Sequence, residues 1–417
     1  MPRERTATPT AGGGAAPAAD PPWDPADPDL LAATTFRRLH DAYRAARRHK
    51  PKTAAMDRFD LRLEPHLLAL QRALRDGSWQ PGPYRQFEVR DPKPRLVSAA
   101  SFADRVVHHA LMRAAEPYLA PALGPEVYAN RKGMGTHAAI ARYQELARTA
   151  PYVLKLDVAA YFPSIDHDIL LAQLQSSGLP AWNLTLLSRV VLQGPPSPRA
   201  DVHFPGDDLL APLQRRRGLP LGNLTSQTLA NLYLAPVDAV LRRHPDVVGF
   251  IRYVDDLAVV GRSRAGLRRA LAETIAPLHA LRLRWNRSKL GIHAVHHGVS
   301  LLGMVVQPDH QRLPGRARRR FEARIRPRIR AWARGALASD DLWRSFAAWH
   351  GHARRGMSDG ALRRFYARRV ALRRLDNSMK SSAHPAPASG SASCAAAPGT
   401  TTNLRTSARP TATTTNR

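Results

Sequence analysis

The chain has 417 residues and a formal net charge of +30, from 63 Lys and Arg against 33 Asp and Glu. Such an excess of positive charge repels itself in a compact fold unless a polyanion is present, so nucleic acid is the first partner to consider. The sequence contains no run of about 18 apolar residues, so no membrane span is predicted. The single cysteine, Cys394, excludes internal disulfides and thiolate zinc sites, so we expect a reducing cytoplasm.

Both ends of the sequence lack hydrophobic periodicity. Residues 1–33 are rich in Ala, Pro, Gly and Asp, and residues 377–417 are similarly biased toward small and polar residues, so we predict both segments to be disordered. After the first segment, apolar spacing predicts helices over 35–48 and 57–76. An extended region follows over 84–97.

The middle of the chain alternates helical patterns with short β-rich runs. Residues 101–104 match a capping box, which predicts that a helix begins there. The run 152–158 is typical of a strand, and a helix after it closes at Gly178. Residues 220–241 indicate a loop that leads into a long helix, and 247–261 indicate a hairpin of two apolar strands around an acidic turn.

The last predicted elements complete one architecture. A helix is expected over 264–280, a pair of strands near 281–286 and 299–307, and arginine-rich helices over 315–375. The order of strand, helix, hairpin, helix and strand predicts an α+β fold. Its centre would be a ferredoxin-like antiparallel sheet with helices on one face.

Three carboxylates stand at the ends of these strands. Asp157 ends an apolar strand, and Asp255 and Asp256 occupy the turn of the hairpin. Adjacent strands would bring the three to one sheet edge, where like charges raise each other's pKa unless a cation is present. Two divalent ions about 3.5–4 Å apart would neutralise them and clamp the oxygens of a phosphoryl transfer. The alternative is an ordinary polar β-turn.

Seven blocks of sequence, in a fixed order over about residues 80–305, carry a family resemblance. Five of them read YVLKLDVAAYFPSIDHDIL, RGLPLGNLTSQTLANLYLAPVD, FIRYVDDLAVVGRS, LRWNRSKLGI and GVSLLGMVV. They resemble polymerase motifs A to E of reverse transcriptases, including the Tyr-x-Asp-Asp box. Upstream, PKPRLVSAASFADRVVHHAL and VYANRKGMGTHAAI are similar to the finger motifs of bacterial members.

The resemblance implies an RNA-directed DNA polymerase shaped as a right hand, with a ferredoxin-like palm, mixed fingers and a helical thumb. Its partners would be an RNA template, a DNA primer or cDNA, and dNTPs, without a membrane. The implied segments are a disordered tail over 1–33, N-terminal helices and fingers over 34–150, the palm over 151–308, the thumb over 309–376 and a second tail over 377–417.

Each matching position takes an implied role. Asp157 and Asp255 would be direct ligands of two Mg²⁺ ions, with Mn²⁺ as a substitute, and Asp256 would be an accessory ligand. Val158 belongs to the same expected metal site. Lys289 matches the motif D lysine, which would donate a proton to the pyrophosphate leaving group. An exposed lysine at a helix end is the alternative.

Six further residues match positions that contact the incoming dNTP. Phe162 would be a steric gate against the ribose 2′-OH, facing the site while Tyr161 enters the core, because alternate strand residues face opposite ways. The alternative is that Phe162 is simply part of the core. Gly222 would allow a close backbone approach. The six residues are Lys93, Arg95, Arg131, Phe162, Gly222 and Gln227.

An arginine-rich helix is predicted after motif E. Its apolar residues, at helical spacing, are Phe321, Ile325, Ile329 and Trp332. The resemblance implies that this helix packs against the template–primer backbone, whereas a solvated helix is the alternative. The residues expected to bind nucleic acid are Arg316, Arg319, Arg320 and Arg324.

Motif B reads Leu-Gly-x-x-x-Ser-Gln between Leu221 and Gln227, the form that resembles enzymes of diversity-generating retroelements. Such enzymes make errors at template adenines, and a small basic accessory protein is a further implied partner. The amide of Gln227 would support a mispair, or it would only cap the following helix. Retron, group II-like and phage-defence enzymes remain alternatives. A different class, a catalytically idle RNA-binding protein, also remains open.

Overall fold

The computed structural model describes residues 23–48, 50, 52–90, 94–194 and 202–369. The strands are β1 (Arg85–Arg90), β2 (Pro94–Ala99), β3 (Tyr152–Asp157), β4 (Val247–Tyr253), β5 (Asp256–Gly261), β6 (Gly291–Ala294), β7 (Val299–Leu301), β8 (Met304–Val306) and β9 (Gln311–Arg312). The helices up to β4 are α1 (Pro28–Ala33), α2 (Phe36–Arg47), α3 (Ala54–Leu61), α4 (Leu63–Arg75), α5 (Phe102–Leu119), α6 (Thr136–Ala147), α7 (Tyr161–Ser164), α8 (His167–Gln175), α9 (Ala181–Leu192), α10 (Ala211–Gln214), α11 (Leu224–Tyr233) and α12 (Ala235–Arg243). The remaining helices are α13 (Arg264–Glu273), α14 (Ile275–Ala280), α15 (Gly315–Ala333), α16 (Ser339–Ala353) and α17 (Asp359–Arg369).

The nine strands of the described residues form three antiparallel sheets. The central sheet has four strands in the order β4-β5-β3-β6, so that β3 is flanked by the hairpin on one side and by β6 on the other. β1 and β2 form a separate hairpin, and β7, β8 and β9 form a small meander. The mixed helical and antiparallel architecture agrees with the α+β prediction.

The central sheet is buried on both faces. Leu154 and Leu156 of β3 enter a first core, which is built with α2, α4, α5, α8, α9 and α11 to α13. Val153 enters a second core, built with α6, the β7–β8 hairpin and α15 to α17. Tyr143 of α6 is fully buried in that second core. The prediction of helices on one face is therefore wrong, because apolar residues alternate on both faces of the strands.

Aromatic rings join the C-terminal helices in the second core. Phe321 of α15 stacks on Trp349 of α16 with ring centroids 4.0 Å apart. Trp349 also stacks on Phe365 of α17, with ring centroids 5.1 Å apart. Ile325 is also buried. The predicted apolar stripe thus fixes which side of α15 faces the protein and leaves the arginines outside.

Residues 23–33 differ from the predicted disordered segment. They include α1, which begins after Asp27, whose side chain accepts hydrogen bonds from the backbone of Asp29 and Leu30. Leu30 is fully buried in the first core, and Trp23 Nε1 donates to the carbonyl of Arg75 at 2.8 Å. One buried leucine and one anchored indole are a signal too short for periodicity to detect. Residues 1–22 and the tail over 377–417 lie outside the described residues.

Several predicted helices are interrupted. The helix predicted over 57–76 is divided at Arg62, and the long helix predicted within 220–241 is divided at Leu234. In the second case Pro236 follows at once, and proline removes a helical hydrogen-bond donor, so it starts a new helix instead. The helix predicted over 264–280 is similarly divided at Thr274.

Two smaller predictions are also corrected. Residues 281–286 are not a strand: Trp285 makes only an isolated bridge to Val158, and β6 is the fourth strand of the sheet. At α5 the predicted helix start is confirmed, because the Ser101 hydroxyl accepts from the backbone of Asp104. The second half of the capping box differs, since the Asp104 carboxylate accepts from the Ser101 hydroxyl and the Gly82 backbone and not from the Ser101 backbone. Among the helices of the described residues, none combines the length and apolar character needed to cross a bilayer.

Candidate active site

Strand register brings the three predicted carboxylates to one edge of the central sheet. Asp157 is the last residue of β3 and lies opposite Asp256, the first residue of β5. Asp255 precedes it in the two-residue turn of the β4–β5 hairpin, which Tyr253 and Asp256 close as a pair. The backbone N–H of Val158 donates to the Asp255 carbonyl at 3.2 Å and ties this turn to the end of β3. The adjacency expected from the strand pattern is therefore observed.

Lysines neutralise two of the carboxylates. Lys289 Nζ lies 2.6 Å from Asp157 Oδ1, and Asn286 Nδ2 donates to Asp157 Oδ2 at 3.1 Å. Lys155 Nζ forms an ion pair with Asp256, and its side chain is only 12 % exposed. Each lysine holds one carboxylate by a charge-assisted hydrogen bond, which distinguishes Asp157 and Asp256 from Asp255.

Asp255 has a different environment. It forms no ion pair with any residue in the part of the chain that the structure describes. Burial, with the negative charges of Asp157 and Asp256, raises the pKa of Asp255 to about 6. The carboxylate that stands in the turn is thus the one whose negative charge is least compensated, and a cation bound there would relieve it.

The described side chains do not form a ready metal cage. No group of three or more His, Cys, Asp and Glu with metal-ligand spacing occurs among them. Two of the carboxylates point at lysines instead, and the Val158 side chain is buried and carries no ligand atom, so only its backbone oxygen is available. The donor set is still one of hard oxygens, which suits Mg²⁺ with water and phosphate as its other ligands.

A cavity of about 430 Å³ opens over this edge. Besides Asp157, Asp256 and both lysines, its wall includes Ser300 of β7 and Arg316 of α15. The structure therefore brings one of the four predicted nucleic-acid residues into the same cavity as Asp157 and Asp256, whereas Asp255 is not among the lining residues. All four are exposed on α15: Arg316, Arg319, Arg320 and Arg324.

The structure describes two of the three predicted dNTP-binding cations. Lys93 lies outside the described residues, and Arg95 is exposed on β2. Arg131 Nη1 donates to the carbonyls of Gly124 and Val127 at 2.7 and 3.3 Å. It lines another cavity, which shares no lining residue with the carboxylate cavity. The structure does not bring Arg131 together with the carboxylates.

Phe162 lies close to β3 in chain order but not in a strand. Tyr161 and Phe162 belong to the helical turn α7, so their side chains diverge by about 100° rather than alternating across a sheet. The outcome for Tyr161 is nevertheless the predicted one: it is buried, and its hydroxyl donates to the Ala230 carbonyl. Phe162 is half-buried, and its carbonyl accepts from Leu219 at 2.9 Å.

Motif B contacts the β1–β2 hairpin. Gly222 has φ of 110°, a conformation that favours glycine, and a Cβ added there would lie 3.0 Å from the Val97 side chain, closer than an ordinary contact. The close approach is thus to β2. Gln227 is half-buried within α11, whose first cap is Asn223. The interpretation of Gln227 as a helix cap is therefore wrong.

Three residues of this region were not predicted: Lys155, Asn286 and Arg252. Lys155 stands two residues before Asp157, and lysine is rare in this arginine-rich chain, which was an available signal. Asn286 lies inside the motif D block but has no pattern of its own. Arg252 is fully buried beneath the turn, and nothing distinguishes one arginine from the others in the sequence.

Comparison with known protein families gives a match. The family model described as reverse transcriptase (RNA-dependent DNA polymerase) matches residues 89–306, more than half of the chain. The matched range contains the central sheet, all three carboxylates and both lysines. No curated protein matches the sequence.

Proposed function

Because the chain belongs to the reverse transcriptase family and is thus an RNA-directed DNA polymerase, we propose that it extends DNA by two-metal nucleotidyl transfer at Asp157, Asp255 and Asp256. The observation that carries the proposal is the strand register, with Asp157 opposite Asp256 and Asp255 in the adjoining turn. RNA template, primer and dNTPs are the substrates of this family. The central sheet is the proposed palm, the β1–β2 hairpin part of the fingers, and α15 to α17 the thumb.

The three carboxylates have unequal proposed roles. Asp157 and Asp255 are the direct ligands, and the main-chain oxygen of Val158 is a further one. Asp256 is accessory, because Lys155 already neutralises it. Reverse transcriptase domains generally use divalent ions, typically Mg²⁺, and Mn²⁺ is the proposed substitute. When bound, the two ions would stabilise the charge that develops on the attacking and leaving oxygens.

Lys289 is the proposed proton donor to the pyrophosphate leaving group. Its ammonium group lies at Asp157 while more than half of the side chain is exposed, so it is able to turn toward a phosphate in the cavity. In this proposal Lys289 leaves the carboxylate when substrate arrives, and a lysine that donates there would lower the barrier as a general acid.

A second set of residues would hold the dNTP. Phe162 is the proposed steric gate, with Gly222 and Gln227 near the nascent base pair and Lys93 and Arg95 gripping the triphosphate. Arg131 is better assigned to holding the loop that it bonds to, since its guanidinium already serves two carbonyls. Along α15, Arg316, Arg319, Arg320 and Arg324 would contact the template–primer phosphates.

Primer extension by three asparagine variants tests the metal assignment. Asp157→Asn and Asp255→Asn should each lower the rate of dNTP incorporation on an RNA template by about a thousandfold or more, as loss of a preorganised charge does. Asp256→Asn should lose much less, and RNA affinity should be retained in all three. Normal extension by Asp255→Asn would exclude the proposed mechanism. Lost RNA binding in all three would favour a merely structural role.

We further propose that the enzyme belongs to a diversity-generating retroelement, with motif B from Leu221 to Gln227 as the supporting feature. Gln227 is half-buried, and its side chain forms no hydrogen bond with a described residue, so its amide is available to a nascent base pair. Deep sequencing of cDNA made by the purified enzyme, with and without a small basic accessory protein, should find errors concentrated at template adenines. Errors spread evenly over the four bases would favour the retron, group II-like or phage-defence alternatives.

A further inference from the structure

Beneath the catalytic turn lies a fully buried arginine. Arg252 is on β4, directly before Tyr253, and none of its surface is exposed. Its Nε and Nη2 donate to the two carboxylate oxygens of Asp238 on α12, at 2.9 and 2.6 Å. Asp238 is itself buried. A bidentate pair of this kind fixes the plane of the guanidinium as well as its position.

The remaining donors of Arg252 reach the turn and a neighbouring helix. Nη1 donates to the carbonyl of Val254 at 3.2 Å and to Asn231 Oδ1 at 3.3 Å, while Nη2 donates to the Asn231 carbonyl at 2.8 Å. The Asn231 amide in turn donates to the carbonyl of Ala129 at 2.8 Å. One guanidinium thus joins the hairpin turn to α11, α12 and the segment before Arg131.

The turn has a conformation that needs support. Val254 has φ of 61°, in the left-handed region, where a β-branched residue is an outlier and glycine is usual. Its carbonyl belongs to the peptide that leads into Asp255. A hydrogen bond to that oxygen therefore sets the orientation of the peptide from which the Asp255 side chain departs.

Stability alone does not account for this arrangement. A buried ion pair is costly to desolvate, and replacing one by apolar residues of similar volume is often neutral or stabilising. Strained backbone of this kind is held in place by its surroundings and is concentrated at functional sites. The pair and the strained valine meet at a single carbonyl oxygen, next to the carboxylate with the least compensated charge.

We propose that Arg252 is a positioning residue: by holding the Val254 carbonyl and pairing with Asp238, it keeps the hairpin turn in the conformation that presents Asp255 to the metal ions. This inference rests on the proposed metal role of Asp255. It assigns to Arg252 no contact with substrate. Its loss should act on metal affinity and turnover more than on dNTP affinity, because the metal ligand is what moves.

The test compares Arg252→Met/Asp238→Leu, Val254→Gly and the triple variant. The double variant removes both charges and keeps the volume. It should raise the Mg²⁺ concentration for half-maximal primer extension by about 10- to 100-fold, as loss of an outer-shell partner does, with little change in dNTP KM. Glycine adopts positive φ without a steric cost. We therefore expect a smaller rise in the Mg²⁺ requirement between Val254→Gly and the triple variant than between wild type and the double variant.

Arg252→Lys keeps the charge and provides a second variant that should fold. A lysine retains a bond to Asp238 but cannot span the carboxylate and the Val254 carbonyl with a planar fork, so the Mg²⁺ requirement should again rise. A matched control is Arg215→Met/Asp207→Leu. This removes another buried ion pair, one whose arginine contacts Phe204 and the Val202 carbonyl instead of the turn. The control should leave the Mg²⁺ requirement unchanged.

Two results would overturn the inference. One is wild-type Mg²⁺ dependence in Arg252→Lys and in the double variant. The other is an equal rise in the Mg²⁺ requirement when the double substitution is made in wild type and in Val254→Gly, which would exclude an effect through the conformation of residue 254. Asp255→Asn is measured in parallel. If it is inactive while the double variant behaves as wild type, the inference alone fails; if Asp255→Asn is active, the proposed metal site fails.

Discussion

The carboxylate edge of the central sheet and the arginine face of α15 carry opposite charges and are specified in different ways. At the edge, backbone register fixes each group, since a slip of one residue would turn every side chain to the other face of the sheet. On α15, buried Phe321 and Ile325 fix only the rotation of the helix, and the arginines occupy whatever surface remains.

The difference predicts how function is distributed. A group fixed by register and by specific partners, as Asp157 is by Lys289 and Asn286, has no substitute nearby. Exposed arginines on one helix face are close to equivalent, because in the proposed function each would interact with a phosphate without base readout. Single substitutions at the edge should therefore have large effects, and substitutions on α15 should have small effects that add.

The largest of the effects that test this contrast concerns Phe162, five residues after Asp157 in the chain. Its turn is fixed by a main-chain hydrogen bond from Leu219, so truncation of the ring should open space without moving the backbone. Phe162→Ala should reduce discrimination between dNTP and rNTP by about 10- to 100-fold, the range available to a pocket that acts by shape. Single-nucleotide incorporation with each substrate measures it.

The neighbouring ring supplies the control for this experiment. Tyr161→Phe removes a hydroxyl bonded to the Ala230 carbonyl and leaves the ring in the first core. It should change stability and leave sugar discrimination unaltered. Equal changes in the two variants would mean that Phe162 acts through the core and is not the gate.

What the sequence could predict follows the same division. Asp157, Asp255 and Asp256 were predictable because strand ends and a two-residue turn are local patterns, and their register follows from which faces are apolar. The lysine partners depend on side chains that meet over separations of 101 and 132 residues in sequence, which no periodicity records.

The misses have the same physical origin. Arg252 and Asp238 are charged residues in a chain full of charges, and only tertiary burial distinguishes them. The second covered face of the sheet was missed because α6 precedes β3 and packs on it from the far side. Residues 28–33 were missed because a helix of this length has almost no period to detect.

The intermediate effect concerns α15. Arg319→Gln/Arg320→Gln should weaken RNA binding several-fold and reduce the slope of log affinity against log salt by about 1.4–1.8, or about 0.7–0.9 for each phosphate that is no longer neutralised. Arg320→Gln/Arg324→Gln should do the same, because the residues are equivalent. Binding titrations over a range of salt concentrations measure both slopes.

Arg37→Gln/Arg38→Gln on α2 matches the change in charge at two other exposed arginines. It should leave the slope nearly unchanged, since only the general field is reduced. If one α15 pair carries the whole loss and the other none, α15 holds a discrete phosphate site and the contrast with the sheet edge disappears.

The smallest effect is on stability, and it separates the carboxylates from one another. Burial and Asp157 raise the pKa of Asp255 to about 6 in the folded protein, above its ordinary value near 3.8. Between about pH 4 and pH 6 the folded chain therefore retains a proton that the unfolded chain loses, and the free energy of unfolding falls as pH rises. Above pH 6 the ionised carboxylate costs about 1–3 kcal/mol.

Asp255→Asn removes that cost, so with EDTA present the variant should melt about 2–6 °C higher than wild type at pH 8 and no higher near pH 4. Asp256→Asn should instead melt at a lower temperature than wild type at pH 8, because it leaves the largely buried Lys155 without its partner. Added Mg²⁺ should stabilise wild type by mass action and have less effect on Asp255→Asn. Thermal melts at the two pH values, with EDTA and with Mg²⁺, distinguish these cases.

An Asp255→Asn variant that melts lower than wild type at pH 8 would show that the turn is stabilised by its own carboxylate. In that case the charge at the sheet edge would serve the fold, and only the α15 arginines would remain as charges kept for binding.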